Sequence, residues 1–377
     1  MTPDQLSGSA GADVTATHRH RLTFLDGLRG IAILVVMLFH SYARWPDLVP
    51  FGHRFEQVPL FFYGWLGVDL FFLISGFVIF MTLEKCDNFR DFILRRWLRL
   101  FPAMLICSLV VFASAGLFPE RPAGVPVWRD LLPGLTFIEP TWWGFALGSP
   151  QGVVEGAFWS LFVEVKFYFI AGILYFTIGG RKMIAVLTAL FLCAAALSKL
   201  QHTFPGAPLH GPDLVLQAAS AGQFGWFAAG ALYYRYFHER TTLLFAAATA
   251  VALAAAVATG GLRLPQTVAA LVVVLLFSAA VALPPIQVAL SRRLLLFIGF
   301  ISYPLYLLHE NMMVAMIVKI GRATPWVPAL LMPILPILAV IGAGSLIAVY
   351  IEPWLRKKLK PVYLGMRALI GVAAPAV

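Results

Sequence analysis

Charge is what this chain has least of: Asp, Glu, Lys and Arg make up 12% of its 377 residues, against about a quarter in an average soluble domain. Hydrophobic residues account for 60%, and the mean hydropathy is +0.84, which excludes an ordinary water-soluble fold. Cysteine is scarce as well. Cys86, Cys107 and Cys193 have no metal-ligand spacing and cannot build a disulfide framework, which leaves them as packing residues, and no metal is expected. The N-terminal stretch lacks the apolar core of a cleavable signal. Residues 1–20 are polar, rich in Ser, Ala and Thr, and end at the basic His18-Arg19-His20-Arg21. They read as a disordered cytoplasmic tail, with Phe24 onward as the uncleaved start of membrane insertion. The net charge is +10 and the pI near 9.7, but no basic domain stands clear of apolar sequence, so nucleic acid is not an expected partner.

What the chain does have is a series of apolar runs, each about 20 residues long and so able to cross a bilayer. They lie near 24–44, 61–83, 100–118, 158–178, 183–199, 214–234, 242–259, 265–283, 295–318 and 327–350. This predicts an all-α polytopic membrane bundle of about ten transmembrane helices, forming one domain over 21–360. A short C-terminal tail, 361–377, is expected to lie at the interface. Most of the 28 Lys and Arg residues fall on the side of the N-terminus, so both termini are expected in the cytoplasm.

Several polar side chains lie within these runs, where each costs about 2.5–3.5 kcal/mol unless it faces a partner or a wet cavity. In the first run, Asp26, Arg29 and His40 fall on one stripe of the helix, Arg29 about 20° and Asp26 about 40° from His40. The arginine sits near the inner surface and the histidine near the outer. Asp69 and Ser75 lie in the second run. In the fourth, Ser160, Glu164 and Tyr168 stack at four-residue intervals. The ninth carries Tyr303, Tyr306 and His309. By depth, His40, Asp69, Glu164 and His309 share the outer half. An acid/base cluster is expected there, above an inner mouth lined by Arg95, Arg96 and Arg99 of an inner loop spanning Glu84–Pro102. Each piece also has a plainer reading: polar glue between helices, positive-inside topology for the arginines, and headgroup contact for Trp128, Trp142 and Trp143 of the outer loop. Lys166 points about 200° away from Glu164 and is given no role.

The stretches Leu25-Asp26-Gly27-Leu28-Arg29-Gly30 through His40, Gly67-Val68-Asp69 through Ser75-Gly76-Phe77, and Arg96-Trp97-Leu98-Arg99-Leu100-Phe101-Pro102 resemble motifs of the acyltransferase 3 family. Trp159-Ser160-Leu161 with Glu164, Ser302-Tyr303-Pro304-Leu305-Tyr306-Leu307-Leu308-His309, and Glu352-Pro353 extend the likeness in order over most of the chain. The family consists of integral membrane O-acyltransferases. The resemblance implies transfer of an acyl group, usually acetyl, from cytoplasmic acyl-coenzyme A to a hydroxyl, most often on a cell-envelope sugar. It implies an enzyme of the bacterial inner membrane with no permanently bound cofactor. No further domain is expected after the bundle, so the chain is expected to resemble the stand-alone type that itself meets the acceptor.

On that reading Arg21, Arg29, Arg96 and Arg99 hold the phosphates of coenzyme A, with Asp26 in support. His40 is the general base, oriented by Glu164 or Asp69. Ser75, Tyr303 or Tyr306 bonds the oxyanion, and Ser160 and His309 support the site. Transfer in one step and transfer through an acyl-enzyme both remain open. The alternative from another class is a small-molecule transporter or flippase using the buried His and carboxylates as a proton relay, and a third is a sensor or structural subunit.

Overall fold

In a bilayer every backbone N–H and C=O must find its partner within the chain, and apolar runs achieve this as helices. The computed structural model describes residues 22–204, 210–261 and 263–369. Among them, nine helices are long and apolar enough to cross a membrane. In chain order they are α1 (Thr23–Tyr42), α2 (Pro59–Leu83), α3 (Phe89–Leu117), α4 (Gly156–Ile178), α5 (Gly180–Thr203), α7 (Thr242–Gly260), α8 (Leu264–Ala282), α9 (Arg293–Ala323) and α10 (Ile334–Ala368). Between α5 and α7 lies α6 (Phe224–Glu239), which at 16 residues is shorter than a span but deeply buried. The N-terminal tail and Arg21 lie outside the described residues, as do 370–377.

Three boundaries differ from the sequence reading. The arginine-bearing segment expected as an inner loop is instead the first turns of α3, because the Asn88 side chain accepts the Asp91 N–H at 3.0 Å and caps the helix there. The expected span 214–234 is broken at Ser220, which takes a left-handed conformation (φ 57°) between the short helix His210–Ala218 and α6. The expected C-terminal tail begins inside α10, which runs on as a helix through Ala368. Lys166 has a structural task here. Its Nζ reaches Glu139 Oε1 of the outer loop at 2.6 Å and Ser220 Oγ at 3.0 Å, tying the loop to that break.

The core is made by the helices that carry the polar stripes. The apolar windows of α1, α2 and α9 are 61, 72 and 67% buried, against 28% for α5, α7, α8 and α10, which form the periphery. Close backbone approach sets the central packing. A Cβ on Gly299 of α9 would lie 1.8 Å from Asp26 O of α1, and one on Gly30 would lie 2.6 Å from Leu295 O. Between α2 and α6, Gly76 and Gly230 meet Phe227 O and Leu73 O in the same way, at 2.0 and 2.1 Å. Only glycine fits these crossings. The first pair lays α1 against the first half of α9, and the outer end of α1 meets the middle of α9 at His40 and His309.

Candidate active site

Three cavities follow one another through the bundle. The inner one, about 660 Å³, is lined by Arg29, Arg95, Arg96, Arg99 and Arg356. Helix spacing fixes most of these arginines. Arg29 Nη1 donates to Asp26 Oδ1 at 2.8 Å, Arg95 Nε to Asp91 Oδ2 at 2.8 Å, and Arg356 Nη2 to Glu352 Oε1 at 2.6 Å. Arg96 Nη2 donates to Thr82 Oγ1 at 2.5 Å, and its guanidinium carbon lies 5.9 Å from the centre of the Tyr168 ring. Arg99 is different. Its side chain is solvent-accessible and has no hydrogen-bond or ion-pair partner among the described residues, leaving an uncommitted cation in the cavity.

The same Arg29, Arg96 and Arg99 open onto a narrower middle chamber of about 110 Å³, walled by Ser75, Ser160, Glu164, Tyr303 and Tyr306. The Glu164 carboxylate accepts from Ser75 Oγ and from Tyr168 OH, the latter at 2.6 Å. Tyr303 OH donates to Leu100 O at 3.1 Å. Tyr306 OH donates to Ala157 O at 2.9 Å and lies 2.7 Å from Ser160 Oγ. The hydroxyl protons proposed for an oxyanion are therefore engaged in this state.

Tyr306 also borders the outer cavity, of about 470 Å³, which holds His40, Asp69 and Glu310. Backbone carbonyls fix the tautomer of both histidines, since a carbonyl only accepts. His40 Nδ1 lies 2.9 Å from Val36 O and His309 Nδ1 lies 2.8 Å from Tyr306 O, so both rings carry their proton on Nδ1. His309 Nε2 approaches His40 Nδ1 at 3.2 Å, with the rings edge to face. His40 Nε2 is left as a free basic nitrogen, 3.5 Å from Glu310 Oε1. An imidazolium formed at His40 would face a carboxylate.

The sequence-predicted residues thus divide into two groups. Arg29, Arg96, Arg99, Ser75, Ser160, Glu164, Tyr303 and Tyr306 surround the middle chamber, whereas His40, His309 and Asp69 belong to the outer end. Glu164 and Asp69 were expected to orient His40, but neither bonds to it. Glu164 faces α2 across the chamber, and the carboxylate beside His40 comes from α9. Glu310 was missed as a functional residue. The signal was its place next to His309, from which both side chains reach into the notch that His40 fills.

In the loop that precedes α4, Glu155 is fully buried; its Oε2 accepts the N–H and Nδ2 of Asn311 at 3.0 and 2.8 Å. Arg121 Nη2 donates to Val154 O at 2.6 Å, and Ala123 N–H donates to Asn311 Oδ1 at 2.9 Å. These bonds strap the outer loop over α9 beside Glu310. Burial, reinforced by the neighbouring Glu310, pushes the Glu155 carboxyl well above the usual carboxylate range. Among the described residues, no group of three or more His, Cys, Asp and Glu is arranged to hold a metal ion.

Comparison with known proteins adds a second line. The model of a family described as an acyltransferase domain matches residues 22–352. A Bacillus subtilis protein with the provisional name peptidoglycan O-acetyltransferase YrhL is 30% identical over 213 residues, covering 51% of this chain and 30% of that protein. An O-acetyl transferase of Shigella phage Sf6 is 23% identical over 187 residues, covering 48% of this chain and 55% of its own length. A Staphylococcus aureus protein provisionally named as an O-acetyltransferase, SACOL0978, is 30% identical over 156 residues, 38% of this chain and 23% of its own. The chain therefore spans from about a quarter to about half the length of these relatives. No solved structure matches it.

Proposed function

This chain belongs to the acyltransferase-domain family, and from that premise we propose that it is a membrane O-acyltransferase moving an acyl group, acetyl in the first instance, from cytoplasmic acyl-coenzyme A to a sugar hydroxyl of a cell-envelope glycan in the bacterial inner membrane. The observation that carries the reading is the series of cavities. Arg29, Arg96 and Arg99 are shared by the inner and middle ones, and Tyr306 by the middle and outer ones, where His40 Nε2 is free. Coenzyme A presents phosphates suited to guanidinium groups, and Arg99 is uncommitted. The thioester on its flexible arm then extends through the middle chamber toward Tyr306.

At the outer end the acceptor hydroxyl attacks the thioester carbonyl. Its proton passes to His40 Nε2, the new C–O bond forms, the C–S bond breaks, and the departing thiolate takes the proton back. Glu310 stabilises the imidazolium between these transfers, and His309 holds the His40 ring in the required tautomer. Rotation of Tyr306 away from Ala157 O would free a hydroxyl proton for the oxyanion. The names of the relatives, one a peptidoglycan and two others O-acetyltransferases, support sugar acylation.

The test is release of free coenzyme A by the purified protein given acetyl-coenzyme A and a pooled envelope-glycan extract. Acceptor-dependent thiol release that is lost in His40→Ala, with Arg99→Ala mainly raising the donor requirement, is expected. A folded protein that releases no thiol with any donor or pool contradicts acyl transfer, and substrate flux across liposomes then tests a transporter.

A further inference from the structure

The outer cavity holds two ionisable side chains that the transfer step does not use. Arg44 follows the end of α1, its backbone fixed by a bond from its N–H to Phe39 O at 2.9 Å and its guanidinium set 4.7 Å from the centre of the Trp45 ring. Asp69 is 5% exposed, and its Oδ2 is buried without a hydrogen bond. Neither side chain has a hydrogen-bond or ion-pair partner among the described residues, although both line the same cavity as His40. Leaving Asp69 Oδ2 buried and unpaired costs about 1–3 kcal/mol, whereas the Arg44 side chain is exposed at the mouth of the cavity and reaches water. The buried, unbonded carboxyl is accounted for by a ligand that bonds it, and the same ligand could reach the exposed guanidinium at the cavity mouth. The positive-inside rule gives no reason for an arginine at the outer surface. Trp45, Trp65 and Trp159 line the same space and offer the flat apolar faces on which sugar rings pack.

We propose that this cavity is the acceptor subsite and that it selects an acidic sugar. Asp69 accepts from ring hydroxyls, Trp65 and Trp159 flank the ring, and Arg44 pairs with a carboxylate or phosphate on the acceptor. The assignment rests on the acyltransferase reading, but the binding it describes does not require the donor. Both anions suit the planar fork of a guanidinium, so the class is set by charge and the carrier of the charge by experiment.

The test is equilibrium binding to the full chain in phosphatidylcholine nanodiscs, without acyl donor, read by calorimetry and by tryptophan emission. The probes are a glucuronic acid trisaccharide, a glycerol-phosphate-linked glucose oligomer and a neutral glucose trisaccharide. At least one acidic probe is expected to bind about tenfold more tightly than the neutral one. Which of the two does so separates carboxylate from phosphate. Arg44→Gln brings the ratio close to one and Arg44→Lys keeps part of it. Arg54→Gln, an exposed arginine nearby in sequence, leaves the ratio unchanged. Asp69→Asn weakens all bound probes alike. Equal affinity for acidic and neutral probes, no binding of any, or a preference that survives Arg44→Gln overturns the proposal. Selective binding in a protein that releases no thiol would instead retain the subsite and reject acyl transfer, and thiol release without acid preference would do the reverse.

Discussion

At the inner mouth, charged side chains are held by neighbours on their own helices: Arg29 by Asp26, Arg95 by Asp91 and Arg356 by Glu352, each three or four residues away. At the outer end, His40 meets His309 across 269 residues of sequence, and Glu310 comes with it from α9. The inner rim is thus assembled helix by helix and tolerates small shifts between helices. The outer site exists only because α1 and α9 pack backbone to backbone at Gly30 and Gly299. Losses at the rim should be graded, and losses at the outer site abrupt.

The sharpest test of that contrast is His40 itself. Removing a general base costs about 10²–10⁴ in turnover, so His40→Ala is expected to lower kcat by that order with little change in the donor KM, measured by thiol release. Next comes Gly299→Ala. Its methyl would sit 1.8 Å from Asp26 O, so α1 and α9 must separate. Overpacking costs about 1–3 kcal/mol, and both a lower Tm and a loss of turnover are expected, although the residue lines none of the three cavities described above. A full-activity, full-Tm variant would show that the crossing does not hold His40 in place.

At the inner rim, Arg99→Ala and Arg95→Ala should separate. Arg99 is uncommitted whereas Arg95 is engaged by Asp91, a buried carboxylate that Arg367 also approaches at 3.4 Å. Losing one charge-assisted phosphate contact raises the donor KM by about tenfold for Arg99→Ala, and by much less for Arg95→Ala. Equal effects would mean that the rim acts only through its total charge.

The smallest effect is expected at Glu155. Its raised carboxyl value means that the folded state keeps a proton which the unfolded chain releases. The stabilising contribution is complete below the unfolded value and is lost as pH rises through the folded one. Glu155→Gln can still accept from Asn311 through its carbonyl oxygen, and it removes that loss. Its Tm should gain on the native protein as pH rises above the ordinary carboxylate range, as read by thermal melts at stepped pH.

Much of this architecture was legible from the sequence. The apolar runs fixed nearly every membrane helix, and the four-residue spacing of Ser160, Glu164 and Tyr168 placed three residues on one wall of one chamber. The local salt bridges of the inner rim follow from spacing in the same way. What could not be read was lateral position. Depth alone grouped Glu164 with His40, but depth does not say which helices are neighbours, and the packing of α1 on α9 gave the adjacent carboxylate to Glu310. The same limit applied at Ser220, where one left-handed residue turned an apolar run into two helices, and at Asn88, whose cap drew the arginine segment into α3.

The central claim is that donor and acceptor reach His40 from opposite faces. It is tested most directly by reconstituting the protein in liposomes in one orientation, with acetyl-coenzyme A supplied only at the arginine-lined face and a glycan acceptor only at the other. The account predicts acylated glycan in that arrangement, none when the two are exchanged, and none with His40→Ala. Acylation with both substrates confined to the face of His40 would contradict it.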